Sequence, residues 1–80
     1  MTTIPQDKAD FKLDPKAVGR RIRELRGFDR NQAQFARLLG ITQAQLSKYE
    51  RGKSTPTLEI LLRLKRHFGK SIDWIVAGDL

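Results

Sequence analysis

The side chains of this 80-residue chain best suited to recognising a polar partner converge on one stretch, Gln32 to Arg51, reading QAQFARLLGITQAQLSKYER. A glutamine carboxamide donates and accepts in one plane, so Gln43 suits a bidentate contact to adenine, and Lys48 suits the O6 or N7 acceptors of guanine. Ala44 offers a methyl group to a thymine methyl, while Gln45 is shared between a local cap and a base or phosphate. Ser47 and Arg51 share the same outer surface, a hydroxyl and a cation for phosphate oxygens. An outer helix face serving only solubility would mix Glu with Lys. Here it is glutamines and bases.

Two short helices must position these groups. Phe35, Leu38 and Leu39 fall at helical spacing, with Ala36 beside them, and predict a helix from Gln32 to Leu39. Gly40 ends it through a left-handed conformation, with Ile41 as the accompanying hydrophobic contact. Thr42 then opens Thr-x-x-Gln with Gln45, the pattern of a capping box, and predicts a second helix from Thr42 to Arg51. Its inner side is Leu46 and Tyr49. Helices joined by so short a turn pack steeply, which pushes the outer face of the second away from the body of the domain.

On these residues the stretch resembles the helix-turn-helix of the Cro/CI-type (XRE-like) family, typified by lambdoid phage repressors and many bacterial regulators. Ala36 and Gly40 match its small residue and turn glycine, and Phe35, Leu46 and Tyr49 its three buried positions. The likeness continues through Glu50, Gly52, Pro56 to Leu58, and Asp73 to Ile75, so that it covers Val18 to Gly78. It implies an all-α fold, a compact five-helix bundle of the lambda-repressor-like DNA-binding type. It also implies that Arg26 and Glu50 pair across the domain, that Asn31 and Gln32 sit against the DNA backbone, and that Lys53, Ser54 and Thr55 hold a phosphate. A departure is the link Gly27 to Asn31, one residue shorter than the family's commonest form.

The rest of the chain supports this centre. Residues 1–13 are polar and mixed in charge, and read as a flexible N-terminal arm; residues 14–80 read as the DNA-binding domain. Asp14-Pro15 is a helix start, followed by the stripe Val18, Ile22 and Leu25 and an end at Gly27. Asn31 is the expected cap of the second helix, whose first-turn amides can receive a phosphate oxygen. Gly52 is the expected left-handed exit from the recognition helix. Thr57 caps a fourth helix with the stripe Leu58, Leu61, Leu62, Leu64 and Phe68, in which Lys65 and His67 make a wetter edge and His67 is a half-exposed packing residue. Gly69 ends it. Ser71 caps a fifth helix, in which Ile72, Trp74, Ile75 and Val76 close the core before Gly78.

Composition sets the limits. The net charge is +7, but Pro15 to Lys70 alone holds fourteen Lys or Arg against four acids, Glu24, Asp29, Glu50 and Glu59. Such a body suits a polyanion, because neutralising phosphates releases condensed counterions. An anionic membrane fits less well, since each short apolar stripe is committed to a shared core. There is no cysteine, and the single His67 has no ligand-spaced companion, so neither a metal nor a cofactor is expected. No nucleophile with an adjacent base, no paired carboxylates and no phosphate-cradling loop argue for an enzyme. Lacking a signal-peptide pattern, the chain is expected in the cytoplasm.

The function expected is a sequence-specific, double-stranded DNA-binding transcriptional repressor that inserts helix 42–51 in the major groove. One such helix offers little surface, so a homodimer on a pseudo-palindromic operator is expected, joined through the C-terminal helix and Leu80 or through the arm. The alternative is an antitoxin or another protein-interaction module on the same bundle, with a protein as its chief partner.

Overall fold

A computed structural model describes residues 13–78 as five helices: α1 (Pro15–Arg26), α2 (Gln32–Leu39), α3 (Gln43–Glu50), α4 (Leu58–Phe68) and α5 (Ile72–Ala77). No strand occurs among the described residues. Most of the expected arm, residues 1–12, and Leu80 lie outside the described residues. No described helix is long and apolar enough to cross a membrane.

Each helix begins where a short polar side chain can accept the backbone N–H three residues on. Asp14, Asn31, Thr42, Thr57 and Ser71 all do so, which satisfies one of the donors a helix start leaves orphaned. Gly40 ends α2 at φ 73° and ψ 31°. With the chain turned left-handed there, the N–H of Ile41 reaches back to the carbonyl of Ala36 at 3.0 Å, and half-buried Ile41 packs on the core. That tight exit lets α3 start at once.

The core is Val18 and Ile22 of α1, Phe35, Ala36 and Leu39 of α2, Leu46 and Tyr49 of α3, Ile60, Leu61 and Leu64 of α4 and Ile75 of α5. Phe35 and Phe68 meet in a tilted pair, ring centroids 5.5 Å apart. The recognition helix packs on both α1 and α2, and α5 on α1 and α4.

Several expectations are corrected. Leu58 is 68% and Leu62 42% exposed, and Leu38 is exposed as well. The buried arc of α4 centres on Leu61 and Leu64 and takes in Ile60, so Leu58 and Leu62 fall beyond its margin; helical spacing gives the angle between residues but not where the neighbouring helices lie. His67 is exposed rather than half-exposed, its ring 6.2 Å from that of Phe68. The recognition helix is shorter by a residue at each end than 42–51, because Thr42 and Arg51 are its caps.

Gly19, which no sequence pattern singled out, lies where α1 crosses the end of α3. A Cβ there would stand 2.4 Å from the Tyr49 carbonyl oxygen and 2.7 Å from that of Glu50. Both are backbone atoms of a packed helix and cannot swing aside. In an open helix Gly→Ala gains up to about 1 kcal/mol from propensity. Here the overlap decides the sign: Gly19→Ala is expected to lower stability by about 1 to 3 kcal/mol, as other overpacked sites do, measured by urea denaturation of both proteins. A more stable variant would mean that the crossing is looser than described.

Candidate nucleic-acid interface

The recognition helix α3 is fixed from below and open above. Leu46 and Tyr49 anchor it in the core, while Gln43, Ala44 and Lys48 are exposed or half-exposed on its outer side. Its start is held by the Thr42 hydroxyl, which accepts the N–H of Gln45 at 3.1 Å. Its end is closed by the N–H of Lys53 on the carbonyl of Lys48 at 2.8 Å. The expected reciprocal capping box is not formed: the Gln45 amide donates instead to the Ser54 hydroxyl at 3.4 Å. Ser54 stands within reach because the chain turns back after Gly52, and the contact ties the recognition helix to its following loop.

The capping box belongs to α2. Gln34 N–H donates to Asn31 Oδ1 at 2.8 Å, and Asn31 N–H to Gln34 Oε1 at 2.9 Å. The amides of Gln32 and Ala33 complete that first turn and point out of a helix end whose dipole favours an anion. Exposed Lys53 and Thr55, and half-buried Ser54, follow α3. Half-buried Ser47 gives its carbonyl to Arg51 Nε at 3.3 Å, which leaves the exposed guanidinium of Arg51 lying along the helix end.

Beneath these groups runs a hydrogen-bonded chain across three helices. Arg26 of α1 grips Glu50 of α3 with both ends of its fork, Nε to Oε2 at 2.8 Å and a terminal nitrogen to Oε1 at 2.9 Å. The two side chains are only 13% and 6% exposed. Gln32 of α2 donates its amide to the same Glu50 Oε1 at 2.9 Å, and its own oxygen accepts from the Gln43 amide at 3.5 Å. The last contact is long. It aims Gln43 without holding it strongly, so a better acceptor can take the amide over.

Gln32, expected against a phosphate at the helix start, stands in the structure as a bridge between Glu50 and Gln43. Sequence reasoning missed this. Gln32 and Gln43 are eleven residues apart, on different helices, and only the turn at Gly40 brings their side chains together. Among the described residues no group of acids and histidine could hold a metal ion.

The helix-turn-helix family model matches residues 20–75. A solved structure, the crystal structure of the P22 c2 repressor protein in complex with synthetic operator 9T in the presence of Tl+, is 32% identical over 78% of this chain and 96% of that chain, with a TM-score of 0.70. No curated protein sequence matches the chain.

A carboxylate so little exposed depends on its partner. Removing Glu50 leaves the Arg26 guanidinium buried and unpaired, so Glu50→Ala is expected to cost roughly 3 kcal/mol, against under about 1 kcal/mol for a pair in open water. Thermal melts of Glu50→Ala, Arg26→Ala and the double variant form the test. The double variant should be clearly less destabilised than the sum of the singles; small and additive effects would mean that the pair contributes nothing.

Proposed function

The chain belongs to the Cro/CI-type (XRE-like) helix-turn-helix family of DNA-binding regulators, and on that premise we propose that it is a sequence-specific transcriptional repressor acting as a homodimer on a pseudo-palindromic operator. The observation that carries this reading is the outer face of α3, where Gln43, Ala44 and Lys48 stand outward while Gln43 is aimed from beneath through Gln32 and Glu50. A donor–acceptor set displayed on a helix narrow enough for the major groove reads base edges. The base contacts are Gln43, Ala44, Gln45 and Lys48, and the phosphate contacts Asn31, Gln32, Ser47, Arg51, Lys53, Ser54 and Thr55.

The α2 start and the 51–55 loop both contact α3, through Gln32 and Ser54, and would hold the two backbone ridges that border the groove. Two copies would present their recognition helices about 34 Å apart, one turn of the duplex. The solved relative is a repressor in complex with an operator, which supports duplex DNA as the partner here.

Binding of a duplex selected from a random library should be steeply salt dependent. On the order of 6 neutralised phosphates per dimer gives a slope near five in log K against log salt. A flat slope, or no binding to any duplex at about 50 mM salt, would sink the repressor reading and favour a protein-interaction module.

Two variants separate reading from holding. Gln43→Ala removes a bidentate contact worth about 1 to 3 kcal/mol of discrimination, so it should weaken the selected site far more than random duplex and relax one symmetric position of the consensus. Lys53→Ala removes a charge that carries no sequence information. It should weaken all duplexes about equally and lower the salt slope by roughly one for each phosphate that is no longer neutralised. The same behaviour from both variants would show that Gln43 does not read bases.

A further inference from the structure

Phe28 is 98% exposed, the extreme among the described large apolar side chains. It stands in the short link between α1 and α2, and that link is clamped. Arg23 donates to the Gly27 carbonyl at 3.0 Å and Arg26 to the Arg30 carbonyl at 3.3 Å, while Asn31 is held by its box with Gln34. The Arg23 guanidinium also lies 5.7 Å from the centroid of the Phe28 ring, a cation–π approach that steadies the ring from one side. A phenyl ring presented to water on a fixed loop forgoes the burial that normally justifies an aromatic residue. The ring therefore has a surface to give to a partner.

The surroundings specify what kind. Phe28 borders an open hollow shared with Arg20, Arg23, Glu24, Gly27 and Glu50. Of the charged residues that line it, Glu50 is already neutralised by Arg26, which leaves Arg20 and Arg23 against the single acid Glu24, so the hollow is weakly basic. It also shares Glu50 with the hydrogen-bonded chain that aims Gln43, and the link runs directly into the α2 start. The surface around Phe28 is thus continuous with the DNA-reading face.

We propose that Phe28, flanked by Arg20 and Arg23, docks on the sugar–phosphate backbone just outside each half-site, extending the footprint beyond the bases that α3 reads. A deoxyribose shows a C–H face between two phosphates. The ring covers that face and the arginines take the phosphates on either side, so the contact is independent of base sequence. The inference rests on the repressor reading. A second copy of this chain on a neighbouring site is the competing occupant, and the test tells the two apart.

The experiment uses the whole chain on the duplex it selects from a random library, once with long flanks and once trimmed flush with the outer ends of the half-sites. Hydroxyl-radical footprinting reads sugar exposure, and anisotropy titration reads affinity. Wild-type protein should protect sugars outside each half-site and bind the flanked duplex about tenfold more tightly than the trimmed one, as expected for burying part of one phenyl ring. Phe28→Ala should abolish the outer sugar protection and reduce the flank advantage to the part that Arg20 and Arg23 supply, yet keep the central footprint, the affinity for trimmed duplex and the melting temperature. Phe28→Trp should restore both. A wild-type footprint that ends at the half-site, or equal weakening of flanked and trimmed duplex by Phe28→Ala, overturns this inference and leaves the repressor reading standing. Intact DNA behaviour in Phe28→Ala, with weaker association between copies on neighbouring sites, also overturns it and assigns the ring to protein contact. No wild-type footprint anywhere would remove the repressor reading itself.

Discussion

The arrangement of the reading surface depends on one nearly buried carboxylate. Glu50 is 6% exposed at the end of α3, and in a DNA-binding family a free acid there would repel the ligand. Both its oxygens are occupied instead, one by Arg26 Nε and the other by Arg26 and Gln32 together. The bidentate fork fixes angle as well as distance, so α1, α2 and α3 are referred to a single group. Ionic pairing in such a place adds little net stability over an apolar pair of equal size. What it supplies is orientation: Gln43 takes its direction from Gln32, which takes its own from Glu50.

That orientation requires α1 and α3 to lie unusually close, and Gly19 permits it. The carbonyls of Tyr49 and Glu50 occupy the space a side chain would need, which brings the end of α3 within reach of the arginine two turns further along α1. A helix of eight residues such as α3 is too short to persist alone. It exists because Leu46 and Tyr49 are buried, Thr42 caps its start, and a left-handed glycine exit closes its end. The exposed Ala44 and Lys48 therefore contribute little to holding the helix, whereas Gln43 and Gln45 also bond to Gln32 and Ser54.

The helix starts are legible in the sequence because each depends on residues within one turn of chain: Asp14, Asn31, Thr42, Thr57 and Ser71 declare themselves by type and position. The turn at Gly40 is legible for the same reason. What the sequence hides is azimuth, the side on which a neighbour packs. Leu58 and Leu62 look like core and stand in solvent, while Ile60 is only 5% exposed, since a stripe of apolar residues is compatible with more than one buried arc. Likewise Thr42 and Gln45 have the spacing of a capping box, but Ser54, nine residues on, wins the Gln45 amide. Arg26 and Glu50 were suggested only by family likeness; nothing local in either helix points to the other.

The arginines resolve a conflict that the net charge of +7 creates. A small domain with that excess repels itself when compact, and the charges needed to attract a polyanion would work against the fold. Several of them are placed at helix C-terminal ends, where the dipole is negative. Arg63 donates to the Leu39 carbonyl at the end of α2 and Arg21 to that of Ile75 in α5; Arg23 serves the end of α1 and Arg51 that of α3. Each guanidinium has five donors, so one or two can satisfy a carbonyl while the charge still faces outward. The same residues thus close the helices and maintain the field that draws in a phosphate backbone. Binding such a backbone removes the remaining self-repulsion, so the fold and its ligand stabilise each other by linkage.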